Sequence, residues 1–172
     1  SLDSGMAGHI DEAPLKLIKI AHKNSQRLVT LVNDILDMEK LMAGKMSLNM
    51  ASINLISLVE LAIEANTSYA NTCNTTLKFC ERPSESMVMA DPDRLMQVLN
   101  NLLSNAAKFS PPDRAVEISI STDSKCTKVS VRDYGSGIPA EFRDRIFSAF
   151  AQADSSDTRK QGGTGLGLKI SK

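Results

Sequence analysis

Between Pro14 and Met42 the apolar residues recur at alternating steps of three and four. The series runs Ile18, Ala21, Ser25, Leu28, Val32, Ile35, Glu39, Met42, apolar except at Ser25 and Glu39. A heptad seam of this kind predicts one long helix. Leu17, Leu31, Leu36 and Met38 widen the apolar face beyond a two-stranded seam, as one wall of a helical bundle requires. Such a face is not stable alone in water. Pro14 suits the first turn, and Gly44 ends the helix.

The pattern then shortens. Residues 46–54 read as an extended linker. Leu55, Leu58, Val59, Ala62 and Ile63 predict a second amphipathic helix from Leu55 to about Tyr69. Thr75–Cys80 and Met87–Ala90 read as strands separated by the turn-rich Glu81-Arg82-Pro83-Ser84. Asp91-Pro92-Asp93 is a helix start: Asp91 caps, Pro92 takes the first position, and Asp93 favours the positive end of the dipole. Leu95, Val98, Leu99, Leu102, Leu103 and Ala106 form the apolar stripe, and Pro111-Pro112 require a stop by Ser110. Val116–Ile120 and Val129–Val131 alternate strictly, as half-buried antiparallel strands do. A helical stretch at about 140–147 and a loose polar stretch at 154–163 follow. The order reads as one long helix and then an α+β domain, without the regular alternation of a doubly wound fold.

Composition narrows the function classes. The 172 residues carry 20 Lys+Arg and 20 Asp+Glu, a net charge of zero. That gives no support for nucleic-acid binding by phosphate neutralisation. With no Trp, two Tyr and five Phe, stacking platforms for single strands are not supplied either. No apolar run is long enough to span a membrane, and the first residues lack the basic-then-apolar order expected of a signal peptide. Cys73, Cys80 and Cys126 lack zinc-type spacing and read as free thiols of a reducing compartment.

Four segments carry candidate chemistry. In Asn101–Phe109, the residues Asn101, Asn105 and Lys108 share one helix face. Amide oxygens suit Mg²⁺ and an ammonium suits phosphate, although a solvated polar face has the same pattern. Asp133-Tyr-Gly135-Ser-Gly137-Ile138-Pro139 follows a strand. Its carboxylate suits an exocyclic amine and its glycines a close flat ligand, although an ordinary turn also fits. Ile146-Phe147-Ser-Ala-Phe150 reads as an apolar anchor for a loop. Gly162-Gly163-Thr164-Gly165-Leu166-Gly167-Leu168 opens a helix and offers backbone N–H groups to an anion. It is neither the Rossmann nor the P-loop pattern.

In this order the segments resemble the N box, first glycine box, F box and second glycine box of sensor histidine kinases, across residues 14–172. The resemblance implies a two-layer α/β sandwich, a mixed sheet covered on one face by helices, after one bundle-type helix. It divides the chain into 1–45, part of a dimerisation and histidine phosphotransfer domain, and 46–172, an ATP-binding catalytic domain. It puts ATP against Asn101, Asn105, Lys108, Phe109, Asp133, Gly135, Gly137, Ile138, Gly163, Thr164, Gly165, Leu166 and Gly167, with Mg²⁺ on Asn105. Asp133 would read the adenine amine. Residues 140–162 would form a lid, with Arg159 or Lys160 reaching the γ-phosphate. Homodimerisation through the first helix, a response regulator receiver domain as partner, no nucleic-acid or membrane contact in these residues, and a cytoplasmic location are also implied, whether or not the parent protein is membrane-anchored.

Hydrolysing members of the wider superfamily carry a glutamate that activates water where this sequence has Asn101. An amide is not a general base at neutral pH, which favours transfer over hydrolysis. The family's phosphoacceptor is a histidine followed by an acidic residue. His9 precedes Ile10 and His22 precedes Lys23, so no catalytic residue is assigned and autophosphorylation is not expected. The catalytic domain is expected to be shortened at its C-terminus. A non-catalytic nucleotide-binding interaction module and a hydrolysing ATPase are the alternatives.

Overall fold

The computed structural model describes residues 12–148 and 166–171. The chain divides into two compact units after Gly44. The first is a single helix, α1 (Glu12–Met42). Most of its apolar side chains face solvent: Leu17, Leu28, Val29, Leu36 and Met42 are each more than half exposed, while Leu15, Leu31 and Met38 are half-buried.

The second unit runs β1 (Ala51–Asn54), α2 (Leu55–Thr72), β2 (Thr76–Glu81), β3 (Met87–Ala90), α3 (Pro92–Phe109), β4 (Ala115–Thr122) and β5 (Thr127–Arg132). A 3-10 turn (Ala140–Arg145) and a single helical turn, α4 (Gly167–Ile170), come last. The strands form two sheets: β1 pairs antiparallel with β3, and β2-β4-β5 form a mixed sheet. Within the latter β2 and β4 are parallel and β4 and β5 antiparallel.

The core lies on one face of this mixed sheet. Val116, Ile118 and Ile120 alternate along β4 and pack with Leu55, Val59 and Ala62 of α2 and Leu99, Leu103 and Ala106 of α3. Leu77 and Phe79 of β2 and Val129 and Val131 of β5 flank the cluster. The intervening Lys78, Cys80 and Lys128 stay exposed. Helices therefore cover one face of a mixed sheet, the two-layer arrangement expected. Each buried Leu, Ile or Val contributes about 1.5–3 kcal/mol relative to exposure. Cys73, Cys80 and Cys126 are free thiols.

Two local expectations change, and the structure sets the strand pairing. Residues 51–54, read as linker, form strand β1. The strands on either side of the 81–84 turn do not pair with each other: β2 joins β4 and β3 joins β1. The helix α3 supplies the crossover that a parallel β2–β4 pair needs. The stretch near 140–147 is a 3-10 turn ending at Arg145 rather than a continued helix.

Candidate functional site

The site is built around α3. Asp91 caps its start: Oδ1 accepts from the Asp93 and Arg94 N–H groups at 3.1 Å each. Oδ2 accepts from Asn49 N–H at 2.8 Å, tying the chain ahead of β1 to the same cap. These donors stabilise the ionised form and hold the Asp91 carboxyl below the usual aspartate range, the Asn49 bond contributing most. At the other end, Ser110 takes an extended backbone while its N–H donates to the Ala106 carbonyl at 3.0 Å. Between the caps, Leu99 and Leu103 face the core, and Asn101, Asn105 and Lys108 are half-buried on the other side. A second amide, Asn100, accepts from the buried Asn66 of α2 at 2.7 Å and locks the two helices together.

The polar residues do not behave alike. Asn101 Nδ2 donates to the Gly167 carbonyl at 3.2 Å and to Ser171 Oγ at 3.4 Å. The Asn105 amide has no hydrogen-bond partner among the described residues. The Lys108 ammonium lies 4.6 Å from the centre of the Phe109 ring, a cation–π contact. Phe109 itself is 46% exposed, so its ring is available to a planar ligand.

The Asp133–Pro139 loop meets the end of α3. A Cβ on Gly135 would stand 2.3 Å from the Phe109 carbonyl oxygen, which excludes any side chain there. The Gly135 N–H donates to Asp133 Oδ1 at 2.8 Å and orients that carboxylate. Gly137 has φ +75° with open space around it, so conformation rather than crowding calls for glycine. Ile138 is exposed and its carbonyl accepts from Arg143 Nε at 3.3 Å.

Tyr134 fastens this loop to the sheet. The Arg132 and Arg114 guanidinium carbons lie 5.0 and 5.3 Å from its ring centre. A hydrogen bond to Glu117 raises its hydroxyl pKa, with some burial adding to it and the two arginines opposing. Neither Tyr134 nor its partners stand out in the sequence. The signal is the register that sets Glu117 opposite Arg132, which only strand pairing reveals.

Leu166 is fully buried, so its side chain packs inside the protein and is not open to a ligand. Gly163, Thr164, Gly165, Phe150, Arg159 and Lys160 lie outside the described residues. Ile146 is half-buried and Phe147 exposed. The structure thus gathers Asn105, Lys108, Phe109, Asp133 and Gly135 at the C-terminal half of α3, and Gly137 follows in open space. It binds Asn101 and Gly167 to each other one turn away. No cluster of three or more His, Cys, Asp or Glu able to hold a metal ion occurs among the described residues. A half-buried amide oxygen such as that of Asn105 suits Mg²⁺ in the way such ions are usually held, by one or two protein oxygens with substrate phosphates.

Residues 90–172 match the family described as histidine kinase-, DNA gyrase B- and HSP90-like ATPases. Residues 90–172 belong to this ATPase family. Several relatives of the chain are named histidine kinases. Hybrid signal transduction histidine kinase D of Dictyostelium discoideum is 38% identical over 170 residues, covering 95% of this chain and 11% of that protein. The fold resembles full-length ShkA in complex with AMPPNP, with TM-score 0.77 and 27% identity, over 95% of this chain and 34% of that one. It also resembles histidine kinase ThkA in complex with the response regulator TrrA, with TM-score 0.64 and 25% identity, over 88% of this chain and 44% of that one. The chain spans 8 to 28% of the length of the curated relatives it matches. No helix among the described residues is long and apolar enough to cross a membrane.

Proposed function

We propose that residues 46–172 are the ATP-binding catalytic part of a two-component sensor histidine kinase and residues 1–45 part of its dimerisation and phosphotransfer domain. The observation that carries this is the grouping of Asn105, Lys108, Phe109 and the Asp133–Gly135 loop at one end of α3. The oriented Asp133 carboxylate accepts from the adenine amine, and Gly137 keeps the approach open. Lys108 leaves the Phe109 ring to meet a phosphate, and Gly163, Thr164, Gly165 and Gly167 line the phosphates. Asn105 would hold Mg²⁺ through its amide oxygen, and the ion would supply charge neutralisation at the phosphate oxygens.

The reaction is transfer of the γ-phosphoryl group. A histidine ring nitrogen attacks the γ-phosphorus, the bond to the bridging oxygen breaks, and ADP leaves. The protein contributes position and charge rather than a base. Asn101 is consistent with this, because its amide is neutral and donates to a backbone carbonyl. Neither His9 nor His22 precedes an acidic residue, so the acceptor histidine comes from another segment or chain. The bare apolar face of α1 supports homodimerisation through that helix. A response regulator receiver domain in the cytoplasm then takes the phosphoryl group onto an aspartate.

A thermal melt with and without Mg-ATP or Mg-AMPPNP tests the reading. A ligand that binds only the folded state at 100 times its Kd adds about 2.7 kcal/mol of stability. The shift is expected to vanish in Asn105→Ala and in Asp133→Ala. No shift at millimolar nucleotide in the native chain overturns the nucleotide reading. Labelled ATP plus a histidine-bearing acceptor helix supplied in trans then tests transfer; steady phosphate release without acceptor labelling would mean hydrolysis instead.

A further inference from the structure

Asp133 and Tyr134 are neighbours in the chain with opposite surroundings. Asp133 is exposed, and its Oδ1 accepts from the Gly135 N–H at 2.8 Å. Tyr134 is half-buried, and its side chain lies against Arg114, Glu117 and Arg132. Arg114 immediately precedes β4, Glu117 lies within it, and Arg132 ends β5. Val116 and Ile118 are buried in the core, so Glu117 between them points to the other face of the sheet. The register sets Arg132 opposite Glu117. Tyr134 therefore grips the sheet beside the two residues, Asp133 and Gly135, that meet the end of α3.

The grip has two chemically distinct parts. The guanidinium carbons of Arg132 and Arg114 stand 5.0 and 5.3 Å from the ring centre, within cation–π range. The hydroxyl hydrogen-bonds to Glu117. The loop has little else to hold it to the sheet, since no helix or strand forms between Arg132 and Ala140. The close fit of Gly135 to the Phe109 carbonyl blocks nearer approach but does not resist separation. Further along, the Arg143–Ile138 bond ties the loop only to the 3-10 turn that follows. Tyr134 shares a peptide with Asp133, so a shift of its backbone carries the carboxylate with it. A loop that leaves its binding-competent position lowers the apparent affinity by the fraction that remains competent.

We infer that Tyr134 is a positioning residue for the nucleotide: clasped by Arg114, Arg132 and Glu117, it fixes the backbone that carries the Asp133 carboxylate. Its side chain acts through Asp133 and touches no nucleotide. The inference rests on the nucleotide-binding reading above and extends it to residues on the far face of the sheet.

Calorimetry with Mg-AMPPNP on the full chain tests this, run well below the Tm of each variant so that every titrated chain is folded. Tyr134→Ala is expected to weaken binding about tenfold. Tyr134→Phe keeps a ring for the two arginines and should recover affinity to within about threefold of the native chain. Tyr134→Leu fills similar space without a π face and should bind as poorly as Tyr134→Ala. Rescue by Leu as complete as by Phe would mean that the side chain only fills space, which overturns the inference. If Tyr134→Ala does not fold, Arg114→Ala decides, because Arg114 is exposed and outside the core. It is expected to weaken binding about threefold, and unchanged affinity overturns the inference. A native chain that binds no Mg-AMPPNP overturns the nucleotide reading and this inference together. Native binding that Tyr134→Ala leaves intact overturns this inference alone.

Discussion

Helices α1 and α3 are both amphipathic, and they end up in opposite surroundings. In α3, Leu99 and Leu103 are at most 2% exposed, covered by β4 and α2. In α1, Leu17 and Leu28 are more than 60% exposed. The strands that cover α3 lie on either side of it in the same unit, so its apolar stripe finds a partner through short connections. The helix α1 is a unit by itself and its stripe must be covered by something else. An apolar stripe states which side needs covering; it does not say what covers it.

The largest expected effect would break this comparison if it failed. Leu103→Ala should lower the unfolding free energy by about 2–5 kcal/mol, from lost transfer energy and the cavity left behind. Leu28→Ala should change it by less than about 0.5 kcal/mol in dilute solution, as exposed substitutions do. Urea titration of the two variants reads both, and equal losses would mean that α1 is covered in solution. Sedimentation at rising concentration sharpens the point: Leu28→Ala should weaken any self-association while Leu103→Ala should not.

A second, smaller effect concerns what α3 has besides apolar contact. The buried Asn66 amide donates to Asn100 Oδ1 at 2.7 Å and to the Ala62 carbonyl at 2.8 Å. Asn66→Ala should cost about 1–2 kcal/mol by the loss of two bonds in a partly dry site. Asn66→Ala and Asn100→Ala together should cost less than the sum of the two, and strict additivity would show that the tie carries no energy.

The smallest effect is a pH dependence. Asp91 has its folded pKa lowered by the Asn49, Arg94 and Asp93 N–H groups. A lowered value means stability that is present above the ordinary aspartate range and is lost as pH falls through the folded value. Asp123, lowered by the Lys125 and Cys126 N–H groups in the β4–β5 turn, acts in the same direction. Asp91→Asn keeps a capping oxygen but removes the titration. The fall of the urea midpoint with acid should therefore be shallower in Asp91→Asn than in the native chain.

Much of the site is legible in the amino-acid sequence. The bounds of α3 follow from Asp91-Pro92-Asp93 at one end and Pro111-Pro112 at the other, because caps and prolines act over one turn of chain. Strands β4 and β5 follow from strict alternation. Asn105, Lys108, Phe109, Asp133 and Gly135 are marked by two of the four ordered motifs, and the fold brings them together. The hydrogen bonding of Asn101 is not legible there. Its partners Gly167 and Ser171 lie 66 and 70 residues away, and no periodicity links them.

The sequence by itself determined most of the elements, the ends of α3, the family resemblance and the residue types available for a nucleotide. Each is a local property, set by side-chain period, caps and turn chemistry. Only the tertiary structure decided that β3 leaves its neighbour β2 to pair with β1, and that β2 runs parallel to β4. It also decided that Gly135 presses on the Phe109 carbonyl and that Tyr134 sits between Arg114 and Arg132. These contacts join residues far apart in the chain. Their energy exists only once the core has formed, so the local pattern carries no trace of which partner wins.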